Sequence, residues 1–294
     1  MISVVIPVHN RLAYTKQCLS CLSAQTYRDF RVIVVDDGST DGTDTMIKTE
    51  FPDVVLIKGD GNLWWTEATN VGIRYAMKQP DGNGPHFVLT LNDDTIVQPD
   101  YLQSMLNAYE AHKPCLVGSV SVDSNNPERL EYAGSAFELY TAGGRHLAAD
   151  YQYSYANLIS KTDHVESQSL PGRGTLIPMD VFAKAGLFNA EKYAHYMADI
   201  EFSIRAKKAG YRLIVDAKSI VYEIVQATGI QVEKGLTFKQ FINSFTSIKS
   251  PTNLTVRYNF ALEHSRTKHL YFCFDIGRIC AGFLLRKLRT VRLG

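Results

Sequence analysis

Short runs of β-branched, apolar residues alternate with longer stretches of helical period through the first half of this chain. Ile2–Pro7, Arg31–Asp36, Val54–Lys58, His86–Asn92 and Leu116–Val122 read as strands. Most are apolar throughout, as strands covered on both faces must be. Between them Leu12–Gln25, Asp41–Glu50, Thr66–Lys78 and Asp100–His112 carry a helical pattern. That alternation leaves few arrangements open: strand–helix–strand units with right-handed crossovers, and so a mainly parallel sheet flanked by helices. Ligands on such sheets bind beyond the carboxyl ends of the strands. The residues just after each strand therefore carry the functional argument.

The rest of the chain is less regular. From Asp123 to Leu170 periodicity weakens and tyrosines gather, a pattern usual for functional or mobile stretches. Asp180–Ala185 reads as a short helix stopped near Gly186, and Asp199–Ala209 as a stronger one closed by Gly210. Tyr211–Asp216 reads as a further strand, and the chain from Phe238 onward as helical. A length of 294 residues suits one large α/β domain with an appendage. The net charge of +1 gives no global attraction to nucleic acid. Residues 286–294, however, hold Arg286, Lys287, Arg289 and Arg292 and no acid, which suits an anionic surface. Five cysteines, with one isolated C-x-x-C at Cys18 and Cys21, complete neither a disulfide framework nor a zinc site. Cys18 and Cys21 read as small buried residues of a reducing compartment. No secretory signal precedes the first strand and no apolar run is long enough to span a bilayer, so the expected setting is cytoplasmic.

Three acidic constellations stand at positions where ligands bind. Asp36 and Asp37 end the second strand, before Gly38-Ser39-Thr40-Asp41-Gly42. An aspartate there accepts hydrogen bonds from a ribose or a base N–H; turn and cap chemistry explains the same residue types. Asn92-Asp93-Asp94 ends the fourth strand. Oxygen ligands at that point suit Mg²⁺ or Mn²⁺, which would bridge diphosphate oxygens and stabilise a leaving group. The bland reading is an acidic turn before Pro99. Asp199 opens a predicted helix, either as its N-cap or as a general base towards an acceptor hydroxyl. A helix N-terminus lowers a carboxylate pKa, so burial has to offset it if Asp199 is a base. Glu201 and Arg205, four apart, are expected to pair on the surface of that helix. Pro7-Val8-His9-Asn10-Arg11 after the first strand contains no glycine. This argues against a G-x-G-x-x-G dinucleotide fold and against the glycine-rich loop of a sugar nucleotidyltransferase.

Together the three constellations resemble the family 2 inverting glycosyltransferases of the GT-A fold, over about residues 1–223. Val4-Val5-Ile6-Pro7-Val8-His9-Asn10-Arg11 is similar to the opening strand and loop of that family. Gln25-Thr26-Tyr27-Arg28-Asp29-Phe30 resembles its Q-T-Y/F-x-D/N-F, and Val35 to Thr43 its V-D-D-G-S-T-D-G-T. Asn70-Val71-Gly72-Ile73 resembles its N-x-G-I, and Asn92-Asp93-Asp94 sits where its D-x-D sits. The resemblance implies a Rossmann-like nucleotide-binding half at about 1–115, an acceptor-binding half at about 116–223 and a helical extension over 224–294. It implies that Pro7, His9, Asn10, Asp37, Trp65, Asn70 and Asp93 hold the nucleotide, with Asp37 on the base. Asp94 and Glu223 would bind the divalent metal, Gly172-Arg173-Gly174-Thr175 the acceptor, and Asp199 would supply the base. The chain departs from the pattern at Asn92, at Ala198 before the base, at Glu201 after it, and at Glu223, where the family often has a histidine.

Gly61-Asn62-Leu63-Trp64-Trp65-Thr66 resembles bacterial rhamnosyltransferase-like members, which implies a UDP- or dTDP-sugar donor and a hexosyl or deoxyhexosyl group. The tryptophans read equally as a wall for a base or sugar and as a core pair. The expected partners are a nucleoside-diphosphate sugar and a glycan or lipid-linked glycan acceptor, in cell-surface polysaccharide synthesis, with no nucleic acid. The departures motivate the rival expectation of a nucleotide-sugar-binding scaffold with impaired catalysis. His269–Leu285, apolar but interrupted by Asp275 and Arg278 and followed by the basic run, reads as a helix on the inner face of the plasma membrane. An oligomer contact, or packing on the catalytic domain, explains that stretch as well.

Overall fold

The computed structural model describes residues 1–79, 85–224 and 237–292, with side chains as far as residue 288. Within them the first half follows the expected alternation. It runs β1 (Ile2–Val8), α1 (Leu12–Ser23), β2 (Phe30–Asp36), α2 (Thr43–Glu50), β3 (Val55–Lys58), α3 (Trp64–Met77), β4 (Phe87–Thr90), β5 (Thr95–Val97), α4 (Tyr101–His112) and β6 (Cys115–Asp123). The second half contains β7 (Asn126–Tyr132), β8 (Ser135–Phe137), β9 (Gly144–His146), α5 (Tyr155–Ile159), β10 (His164–Glu166), β11 (Thr175–Pro178), α6 (Met179–Ala185), α7 (Ala198–Lys208) and β12 (Arg212–Glu223). Three helices follow: α8 (Phe238–Ser244), α9 (Leu254–His264) and α10 (His269–Arg292).

Ten strands form one sheet in the order β10-β12-β6-β11-β4-β1-β2-β3, with β5 on β12 and β7 on β6. The set β4-β1-β2-β3 is parallel, as is β12 with β6. Successive residues of β1 feed opposite layers, Val4 with α1 and α4, Val5 with α3. This is why the strand is apolar on both faces, Ser3 excepted, instead of alternating. Strand β11 is inserted antiparallel between β4 and β6, with Thr175 opposite both Thr90 and Gly118. Four apolar residues give no hint of strand direction, and only the long-range pairing sets it. The stretch 123–170, expected to be irregular, holds short strands and a small two-stranded sheet of β8 and β9. The strand expected at Tyr211–Asp216 continues to Glu223 through an irregularity between Asp216 and Ile220. There the Asp216 carboxylate accepts from the Ser219 amide and hydroxyl, at 2.8 and 2.7 Å.

Several motif residues prove to be tethers. Gln25 lies just beyond the C-cap of α1. Its amide donates to the Gln98 carbonyl at 2.7 Å and its oxygen accepts from the Leu102 amide at 3.0 Å, joining that end to the start of α4. Gly72 lets α3 press on β1, since a Cβ there would lie 2.4 Å from Val5. Cys18 is buried and Cys21 half-buried, and both thiols are free. Glu201 and Arg205 do pair, at 2.7 Å, but not on the surface: Glu201 is buried. Burial raises the Glu201 carboxyl, and His264 from α9 together with Arg205 more than reverse this, so it ends below its ordinary range. The helical extension thus packs against α7.

Asn70, expected at the nucleotide, is another tether. Its side chain donates to the Phe188 carbonyl at 2.8 Å and accepts from the Phe188 amide at 3.1 Å, away from the cleft described below. Buried polar groups are costly to leave unpaired. Asn70→Ala is therefore expected to lower stability by about 1–3 kcal/mol in urea unfolding while nucleoside diphosphate affinity, measured by calorimetry, stays within about twofold of wild type.

Candidate active site

A cleft of about 680 Å³ opens at the carboxyl ends of β1, β2 and β4. Asp37, Asp93, Asp94 and Asp199 all line it, although they come from three separate segments. So do Pro7, His9, Arg11, Trp64, Trp65, Asn92, Gly172, Arg173, His195, Tyr196 and Lys249.

The wall beyond β1 and β2 is a web of local hydrogen bonds. His9 Nδ1 lies 2.6 Å from the Asp37 carbonyl, which can only accept, and Nε2 lies 3.0 Å from the Asn10 amide nitrogen. His9 is therefore held with its proton on Nδ1. Asn10, at φ +53°, accepts from the Thr40 amide at 2.8 Å and bridges two loops outside the cleft lining. Asp37 accepts from the backbone N–H groups of Gly61, Leu63 and Trp64 at 2.8, 2.9 and 3.1 Å. An ionised carboxylate has about four acceptor directions, so one remains for a ligand. The expectation of Asp37 as a base contact is narrowed accordingly: its carboxylate first shapes the loop that carries the tryptophans.

Both tryptophans face the cleft. Trp65 donates its indole N–H to Asn92 Oδ1 at 3.0 Å and meets Phe188 edge to face at 5.6 Å. It is thus wall and core partner at once. A Cβ on Gly172 would lie 2.1 Å from this ring, so only glycine fits there. Trp64 lies edge-on to His195 at 5.9 Å, with Lys249 Nζ 5.7 Å from its ring. Thr66 at the start of α3 fixes the segment before His195, donating through its hydroxyl and amide to the Tyr193 and Ala194 carbonyls at 2.5 and 3.2 Å. Burial, reinforced by Lys249, keeps the His195 imidazole below its ordinary pKa and so neutral at neutral pH.

The acidic end of β4 is held by a residue that the motifs did not assign. Arg11 reaches Asp93 through Nε at 3.3 Å and Asp94 through a terminal nitrogen at 2.9 Å. Burial still pushes the Asp93 carboxyl up to about 7, with Arg11 opposing the rise and Asp94 adding to it. The other expected metal ligand is displaced: Glu223 does not line the cleft, and its Oε1 accepts from Arg173 Nε at 2.5 Å. Glu223 is the counter-ion of Arg173. Among the described residues no group of three or more His, Cys, Asp or Glu is arranged to hold a metal ion. Small hard cations, however, take one or two carboxylates plus substrate phosphates instead of an all-protein cage. Adjacent Asp93 and Asp94, buried and open to the cleft, fit that donor set.

The loop before β11 divides in two. Gly172 and Arg173 line the cleft; Gly174 and Thr175 do not. Gly174 donates to the Thr90 carbonyl at 2.8 Å, and the Thr175 hydroxyl donates to the Pro171 carbonyl at 2.7 Å, so both are internal supports and not acceptor contacts. Asp199 is the second residue of α7; the N-cap is Met197, at φ +67°. Its oxygens accept from the Ile200 and Gly172 amides at 2.9 and 3.2 Å. Burial raises the Asp199 carboxyl above its ordinary value and prevails over those amides and Arg173, all of which lower it. Arg11, His195, Tyr196 and Lys249 went unassigned in the sequence. Arg11 carried one usable signal, a cation three residues beyond β1, at the same end of the sheet as the aspartates that follow β2 and β4.

The profile of glycosyl transferase family 2 matches residues 3–170. An uncharacterized glycosyltransferase of Rickettsia prowazekii is 27% identical over 199 residues, covering 66% of this chain and 56% of its own length. The chain thus spans little more than half of that relative. The N-acetylglucosaminyl-diphospho-decaprenol L-rhamnosyltransferase of Mycobacterium tuberculosis is 24% identical over 242 residues, 78% of each chain. Among solved structures, GalNAc-T7 with UDP, GalNAc and Mn²⁺ superposes with a TM-score of 0.67 at 16% identity, over 92% of this chain and 49% of its own. TarS 1–349 of S. aureus gives 0.54 at 16% identity, over 95% of this chain and 79% of its own. At such identities these two structures report the shared fold.

Gly172→Ala is expected to push the Trp65 ring off Asn92. Overpacking of this kind costs about 1–3 kcal/mol, to be read as a lower urea midpoint together with a shift in tryptophan emission.

Proposed function

The chain belongs to glycosyl transferase family 2, and on that premise we propose that it is an inverting glycosyltransferase moving a sugar from a UDP- or dTDP-sugar to an acceptor hydroxyl. The observation that carries the reading is the shared cleft. A carboxylate on α7 and a carboxylate pair at the end of β4 line it together, with tryptophans between. In the proposed reaction the acceptor oxygen forms a bond to the anomeric carbon from the face opposite the nucleotide. The bond from that carbon to the diphosphate oxygen breaks, and its electron pair leaves with the diphosphate. Asp199 takes the acceptor proton, and its raised pKa suits a base better than an ordinary aspartate.

Asp94, with Asp93 beside it, would hold Mg²⁺ or Mn²⁺ in company with the donor. When bound there, it would neutralise charge on the leaving diphosphate. Arg11 and Arg173 add positive charge along the same wall. The side face of Trp65 and the remaining acceptor direction of Asp37 support donor recognition, with Pro7 and His9 as the adjoining wall. The decaprenol-linked substrate named for the mycobacterial relative favours a lipid-linked glycan acceptor here. Asp199 intact and open to the cleft favours an enzyme over a catalytically impaired scaffold.

Asp199→Asn is expected to lower kcat by about a thousandfold while nucleoside diphosphate binding persists in calorimetry; near-normal turnover would refute the role. The base must be ionised, so kcat/KM should fall as pH drops through a value above the ordinary aspartate 3.8. Arg173 lowers the Asp199 pKa, so Arg173→Gln should move that acid limb to higher pH.

A further inference from the structure

Helix α10 is apolar on two opposite sides. With 3.6 residues per turn, Tyr271, Asp275 and Phe283 share one side. That side is seated: Phe283 stacks on Phe241 of α8 at 4.0 Å, and Asp275 accepts from Arg257 of α9 at 2.7 and 2.8 Å. The other side carries Leu270, Phe274, Leu284, Leu285 and Leu288, each between 48% and 62% exposed. Exposed Gly277 and Ala281 fill the intervening turns, so the stripe repeats at i, i+4, i+7, i+11, i+14 and i+18. Helix α8 packs on the seated side, where its Phe238 lies 6.4 Å from Phe283. A soluble surface does not ordinarily present a continuous row of this kind.

Charge selects what covers it. Asp275 is the one acid in residues 269–294, and it is turned inward on Arg257. The other charges of that stretch are positive: Arg278 and Arg286, both exposed, then Lys287, Arg289 and Arg292 in sequence. A second copy of this chain laid on the stripe would set these cations against their equals. An anionic lipid surface would meet them with opposite charge and accept the leucines between its headgroups. Among the described residues no helix is long and apolar enough to cross a membrane.

We infer that the outer face of α10 lies flat on an anionic lipid surface. Binding there depends on apolar insertion and on charge together. It is independent of the glycosyl-transfer reading, because it is measured without substrate.

The test is co-sedimentation of the whole chain with vesicles of equal parts phosphatidylcholine and phosphatidylglycerol, beside vesicles of phosphatidylcholine alone. The chain should pellet with the first and stay in solution with the second, and added salt should release it. L284E/L288E should weaken binding about tenfold or more with an unchanged thermal midpoint. R286E/K287E keeps every apolar residue and should weaken it by charge alone, which covers the case of a misfolded first variant. A chain that stays in solution with both vesicles overturns the inference, as does equal binding to both. So does a dimer in sedimentation equilibrium that L284E/L288E dissolves, since the face would then belong to a second copy.

Discussion

The indole of Trp65 lies so close to the backbone of Gly172 that no side chain fits between them. On that contact the rest of the site depends. The same ring donates to Asn92 at the end of β4, and the same glycine amide donates to Asp199 at the start of α7. Four segments remote in sequence thereby share one geometry. The proposed base and the acidic pair are held relative to each other by an aromatic plane and a backbone amide. Both are stiffer than a surface loop, as a reaction sensitive to small displacements requires.

How far this could be read from the sequence follows from the range of each interaction. The strands of the parallel half and the acidic strand ends were legible because each is a local pattern: an apolar run, then a carboxylate. Asp37 and Asp94 follow that pattern, whereas Asp199 was marked by the start of a helix; all three line one cleft. Asn70 was misread because its partner is the backbone of Phe188, which no local pattern reveals. Glu223 was misread as a metal ligand because a carboxylate near a strand end looks the same whether it faces a cation or Arg173. Gly174 and Thr175 belonged to the right loop, but which half of it faces the cleft is decided by the antiparallel insertion of β11. His195 and Lys249 lie in irregular stretches and had no signal at all.

Charge in the cleft is balanced by pairs that sequence reading separates widely. Arg11 lies between Asp93 and Asp94, and Arg173 lies on Glu223 while still acting on Asp199. Removing either guanidinium would leave buried carboxylate charge uncompensated, which is more costly than the pairs are stabilising. Even with Arg11 present, burial holds Asp93 well above the usual carboxylate range. The acidic end of β4 therefore still favours additional positive charge. Arg11, Arg173 and Lys249 along the walls make the same cleft hospitable to phosphates. The proposed diphosphate and cation would satisfy both tendencies together.

Helix α7 joins this chemistry to the helical extension. Asp199 and Glu201 are two residues apart, about 200° around the helix, so they face opposite ways. The first opens on the cleft. The second is buried against Arg205 and against His264 of α9, whose Nε2 lies 3.3 Å away. One further helix along, Arg257 of α9 grips Asp275 of α10. The extension therefore completes the charge balance of the helix that bears the proposed base, and it does so with side chains that a surface appendage would leave in water. A face of α10 resting on lipid would be joined to the helix that bears Asp199 by two side-chain contacts between helices, Asp275 with Arg257 and His264 with Glu201.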